Sequence, residues 1–187
     1  MITRANSLKN EKRRVSRAFK IGENLDRDLV EQASKAGITP SSLVNQILMR
    51  HLDWGRYLSD NSNFLTIDRQ VFISMIEDLS EDRIIELARS TALVATHNFI
   101  KFRYDEITFE TLLDYLELMS TYMNLAEISV RNNKGGKGYE ILVRHPLGIK
   151  WSIFLAEFIS GMFGSFLEME TTSEISPLGC SISIKAK

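Results

Sequence analysis

The stretch PSSLVNQILMRHLDW, residues 40–54, constrains this chain more than any other. Thr39 just before it suits a helix N-cap, and Pro40 suits the first helical position, where a missing N–H costs nothing. A helix over residues 40–53 puts Leu43, Val44, Ile47, Leu48 and Leu52 on one wide apolar face. The helix expected before it, over residues 23–36, has only a narrow stripe of Leu25, Leu29 and Ala33. Its acids Glu23, Asp26 and Asp28 favour the N-terminal end, and Gly37 suits its stop. A segment of about forty residues cannot bury so much apolar surface alone. The sequence therefore predicts a homodimer in this region, with interlocked helices and paired strands.

The strand in question lies upstream. From residue 14 to 21 the chain alternates, with Val15, Phe19 and Ile21 on one face and Arg17 interrupting it. Arg14, Ser16, Ala18 and Lys20 fall on the other face, and Gly22 ends the run. Taken alone, such a stretch also suits an edge strand whose basic side chains discourage aggregation. The charge balance adds to it. Residues 1–20 carry seven Lys/Arg and one acid; residues 1–56 have a net charge of +5 and residues 57–187 one of −6. That split predicts a basic module for a polyanion joined to an acidic module with another task. Residues 1–12 are polar and without period, which predicts a flexible basic arm.

The alternating basic segment, IGENLDRDLVEQA, the GIT turn and PSSLVNQILMRHL together resemble the ribbon-helix-helix family of DNA-binding proteins, the Arc/MetJ/CopG type, over residues 13–54. The resemblance implies a dimeric strand-helix-helix fold whose paired strands enter the major groove of double-stranded DNA. Arg14, Ser16, Ala18 and Lys20 would then read base edges. Arg13, Arg17, Thr39, Ser41 and Ser42 would hold phosphates, the last three at a helix N-terminus. A register shifted by one residue puts Arg13, Val15 and Arg17 outward instead, and both registers stay open. Arg4, Lys9 and Lys12 of the arm would track the backbone.

Residues 55–63 hold Gly55 and a polar cluster, and the boundary falls there. The expected organisation is the arm over 1–12, the DNA-binding domain over 13–56 and an α+β oligomerisation or sensor domain over 62–187. In the latter, 64–67 reads as a short strand, and Asp68, Ser80 and Thr108 each start a helix. Ile84, Leu87, Leu93 and Val94 are expected to be buried, as are Leu112, Leu113, Leu116 and Met119. LAEISVRNN and YEILVRHP alternate around the turn signal NKGGKG, and FLEMETTSE and GCSISIKAK form a second hairpin. Between them lies an apolar helix, GIKWSIFLAEFISGMFG. The order predicts helices packed on an antiparallel sheet. The apolar helix suits a buried central element, a wall of a ligand pocket against the sheet, or a second dimer interface. Over about forty residues the closing order also resembles the ends of small-molecule-sensing domains, which implies an effector but no ligand residue.

Chemistry is sparse. Neither a phosphate loop, a nucleophile elbow, a metalloprotease helix nor a dinucleotide fingerprint is present, so no enzyme is expected. His51, His97 and His145 lack metal-ligand spacing, and a His97/His145/Cys180 site is weighed against a core histidine and an inert thiol; no metal or cofactor is expected. One cysteine excludes an internal disulfide. The apolar stretch over residues 151–169 is broken by Glu157, Gly161 and Gly164, so no membrane partner is expected. The N-terminus is polar, and a cytoplasmic location follows as the expectation. The function expected is a sequence-specific transcriptional regulator, a homodimer or tetramer, with a small-molecule or protein effector. The alternative is an antitoxin-like dimer that docks a protein partner.

Overall fold

Two packed helices whose outer apolar side chains stay exposed define the N-terminal part of the computed structural model, which describes residues 15–60, 66–132 and 138–185. Helix α1 spans Glu23–Lys35 and helix α2 spans Pro40–Arg50. Gly37, at φ +68°, takes the left-handed position after α1; the Ile38 N–H donates to Ala33 O and the Gly37 N–H to Ser34 O. This closes the helix end with a Schellman arrangement. Thr39 then caps α2, its Oγ1 accepting from the Ser42 N–H at 3.1 Å. The helix does not stop at residue 53 as the sequence predicts. It widens into a π-helical turn over His51–Gly55 and resumes as α3, Arg56–Asp60. A Cβ on Gly55 would lie 3.0 Å from His51 Nδ1, so the wide turn brings the His51 ring close over the glycine.

The expected strand-helix-helix ribbon is corrected here. Residues 15–22 are in neither strand nor helix and are exposed throughout, and the N-terminal unit is helical among its described residues. All the described strands lie after residue 126. The physical reason is that alternation alone supplies no partner. A strand needs a neighbour for its N–H and C=O groups, and the described residues of this unit offer none. Similarly, Thr66 and Ile67 form no strand, while Phe64 and Leu65 lie outside the described residues.

The chain divides into two compact units, Met1–Ser62 and Asn63–Lys187. The second is the α+β layer fold. Asp68 caps α4 (Arg69–Glu77), Ser80 caps α5 (Glu81–Arg103) and Thr108 caps α6 (Phe109–Tyr122). Strands β1 (Glu127–Asn132) and β2 (Gly138–Arg144) pair antiparallel, helix α7 follows over Ile149–Leu167, and β3 (Glu170–Ser176) and β4 (Gly179–Lys185) close the chain. The sheet order is β1-β2-β4-β3, so the last strand fills the centre against β2. Tyr139 faces Ile184, Ile141 faces Ile182 and Val143 faces Cys180 across that central pair, the period-2 set that makes one side of the sheet apolar.

Helix α7 packs on both β3 and β4 and on α5. Its Ile159, Met162 and Phe163 are fully buried, which makes it the central core element. The α5 face against it differs from the one expected. Leu93 and Val94 are exposed, whereas Ile84, Ala88, Ala92, Thr96 and Ile100 are buried. That set recurs every four residues, along one ridge of the helix. A Cβ on Gly161 of α7 would sit 3.2 Å from the Ala92 Cβ, so small residues on both helices bring the backbones together. Arg89 Nε donates to Glu157 Oε2 at 2.8 Å across the same contact.

Candidate functional site

Those residues expected to meet DNA that are described are exposed, apart from the half-buried Ser42, but among the described residues they do not form a built site. Ser16, Arg17, Ala18 and Lys20 sit on the segment before α1. Arg13 and Arg14 lie outside the described residues, as do Arg4, Lys9 and Lys12 of the arm. Thr39, Ser41 and Ser42 come together at the α2 N-terminus. Thr39 spends its hydroxyl on the Ser42 N–H, so both groups already serve the helix cap.

The apolar side chains around them are the larger observation. Phe19 is 74% exposed and Val15 69%. Leu25, Val30, Ile47, Leu48, Met49 and Leu52 are exposed too. Against this, Ala33, Trp54 and Tyr57 are the buried apolar residues of the unit among those described. The Trp54 and Tyr57 rings meet at 5.7 Å, and burial raises the Tyr57 pKa.

In the C-terminal unit the strand register assembles a cleft of about 850 Å³. Arg144 pairs with Glu127 on one side and Gly179 on the other, and Gly179 pairs with Ser176, so four strand ends meet at one rim. Arg69 from the start of α4 and Glu174 of β3 add to its lining. Leu142, Pro146, Ile175 and Leu178 give it apolar walls. Gly179, at φ +153°, lies so close to β2 that a Cβ there would be 2.0 Å from Val143 O.

Beneath this rim is a buried polar chain. The Leu147 N–H donates to His145 Nδ1 at 3.1 Å. A backbone N–H only donates, so Nδ1 is bare and the neutral ring carries its proton on Nε2. Nε2 lies 2.9 Å from Ser152 Oγ, and Ser152 Oγ donates to Ser176 O at 2.6 Å. The pair looks like a nucleophile and its base, but the proton order is wrong for that. His145 already donates to the serine and has no lone pair facing it. Burial lowers the His145 pKa, which keeps the ring neutral. The chain thus ties β2, α7 and β3 together below the cleft.

Cys180 also borders the cleft, and burial pushes its thiol pKa up to about 11. His145 is beside it there, but His97, on α5, does not line the cleft. Among the described residues no group of three or more His, Cys, Asp or Glu side chains is placed to hold a metal ion. Lys134 and Lys137 of the NKGGKG turn lie outside the described residues, although the strands flanking the turn pair as expected. Among the described residues no helix is long and apolar enough to cross a membrane.

A second, smaller groove of about 530 Å³ runs between α6 and β1, with Ile128 and Val130 on one side and Glu110, Asp114 and Glu117 on the other. Asp114 accepts from the Tyr104 hydroxyl at 3.3 Å, and burial helps push the Tyr104 pKa up to about 12. Sequence reasoning found neither the cleft nor the groove. Their only trace is the placement of charges at or near strand ends, Glu127, Arg144 and, inside β3, Glu174, which come together only once the register is known. No protein-family model, no curated protein and no solved structure matches this chain at a significant level.

Proposed function

We propose that this protein is a sequence-specific, DNA-binding transcriptional regulator of the cytoplasm that acts as a homodimer or higher oligomer, its C-terminal unit sensing an effector or holding the assembly together. One observation carries the reading: a net-positive helical unit exposes Val15, Phe19, Leu25, Ile47 and Leu52 at once. So much apolar surface on so small a unit calls for a second copy. A dimer doubles the positive charge and presents two sets of Arg17 and Lys20 to a duplex. The Ser41 and Ser42 hydroxyls at the α2 N-terminus suit a phosphate, which would fix orientation rather than sequence. The likeness to the DNA-binding family supports the reading through its two helices and the GIT turn.

The test is selection from random duplex DNA with the full-length protein, across a salt series. The expected outcome is an enriched, repeated short motif with affinity falling steeply as salt rises. Substituting Arg17→Ala and Lys20→Ala together is expected to lower the log–log salt slope by about 0.9 for each phosphate no longer neutralised. Absence of binding at low salt removes the reading.

The acidic groove beside β1 favours a second reading, in which the protein docks a basic protein partner and its N-terminal unit only dimerises. Under that reading the Arg17/Lys20 double variant leaves partner binding unchanged.

A further inference from the structure

The cleft at the end of the sheet is lined by four charged residues, Arg69, Glu127, Arg144 and Glu174, two of each sign. None of them forms an ion pair among the described residues, whereas Lys35 pairs with Glu31, Arg83 with Glu86 and Arg89 with Glu157. Arg144 and Glu127 stand directly opposite on neighbouring strands, yet both are exposed and solvated, where an ion pair gains only about 0–1 kcal/mol. Both signs therefore stay available at the rim of one concavity, above walls of Leu142, Pro146, Ile175 and Leu178.

From this geometry we infer that the cleft is a binding site for a small zwitterion with an apolar body, an amino acid or short peptide with free termini. The guanidinium groups of Arg69 and Arg144 take the carboxylate, for which their planar forks are suited. Glu127 and Glu174 take the ammonium group. The apolar walls take the side chain. A volume of about 850 Å³ accommodates ligands from a single amino acid to a few residues. The floor is rigid, because the His145–Ser152–Ser176 chain fixes β2, α7 and β3 relative to each other. A ligand carrying one charge satisfies only half of this rim and leaves the other sign to repel or stay hydrated.

The inference rests on the sensing role proposed for this unit only in calling the ligand an effector. Binding is measured without DNA, so a failure of the regulator reading leaves it standing and the reverse holds too. The experiment is calorimetric titration of the full chain with L-phenylalanine, L-leucine and leucyl-leucine, beside 3-phenylpropionate and phenethylamine. Saturable binding of at least one zwitterion is expected, with both one-charge analogues of phenylalanine weaker than it by about tenfold or more. Arg144→Ala, Arg69→Ala and Glu174→Gln are each expected to weaken the zwitterion by about tenfold or more. All three residues are exposed, and circular dichroism melts verify that the variants fold. Equal or tighter binding of 3-phenylpropionate, or no effect of Glu174→Gln, overturns the inference in favour of a site for organic anions. No saturable binding of any probe at millimolar concentration overturns it outright.

Discussion

At the scale of single residues, His145 is the group whose state the fold dictates. Its Nδ1 accepts from the Leu147 N–H, so a second proton there would set donor against donor. Burial adds to this by disfavouring the imidazolium, and the pKa falls below its ordinary value. The unfolded chain, in which the ring titrates at about 6.5, binds that proton more readily than the folded one. Stability from this group is therefore complete above the unfolded pKa and is lost as the pH falls through the window down to the folded value. Urea melts between neutral pH and pH 5 are expected to show a falling unfolding free energy, with a slope from this residue of at most about 1.4 kcal/mol per pH unit. His145→Gln is expected to flatten that part of the profile while lowering stability at neutral pH, since it disturbs the Ser152 link. A profile of unchanged steepness in the variant would show that other groups carry the acid sensitivity.

Among the elements, the α5–α7 contact decides how the helical layer sits on the sheet. Ala88 and Ala92 of α5 are fully buried, and Ala92 faces Gly161. Small residues there allow backbone approach, and larger ones have nowhere to go in a close-packed interior. Ala92→Leu is expected to cost about 1–3 kcal/mol by overpacking. Leu93→Ala and Val94→Ser, one and two positions on, are expected to change stability by no more than about 0.5 kcal/mol because both residues are exposed. Thermal melts of the three variants check the assignment of faces. The sequence pattern puts Leu93 and Val94 inside, since hydropathy ranks leucine and valine above alanine. Packing ranks them the other way, because the partner helix offers a glycine.

For the molecule as a whole, the proposed dimer is expected to turn on the N-terminal unit. In the single chain α1 buries only Ala33 and α2 buries no residue completely. A homodimer that covers α2 is expected to make the unfolding midpoint rise with protein concentration. Replacing Ile47 and Leu52 by aspartate removes two apolar anchors from each copy. Both side chains are already about half buried in the single chain, at 48% and 47% exposure, so covering the rest is worth about 0.8–1.5 kcal/mol each and every anchor removed weakens association roughly three- to tenfold. Sedimentation equilibrium of the full chain and of the double variant reads this directly. A variant that associates like the parent protein places the dimer interface elsewhere, on the second unit.

Local chemistry in the sequence determined where helices begin and what ends them. Thr39, Asp68, Ser80 and Thr108 cap four helices through their own hydroxyl or carboxylate oxygens, and Gly37 takes the left-handed turn after α1. These are interactions among residues two to four apart, so the order of residues suffices to predict them. The two hairpins were legible for the same reason, as period-2 runs around turn signals. Three things were not. Residues 15–22 alternate like a strand but have no strand beside them among the described residues of their unit. The α5 face follows its partner's glycine rather than its own hydropathy. The cleft with Arg69, Glu127, Arg144 and Glu174 draws on residues spread across more than a hundred positions. Each depends on which distant segment arrives alongside. That is set by sheet order and register, here β1-β2-β4-β3, and only the tertiary structure decides it.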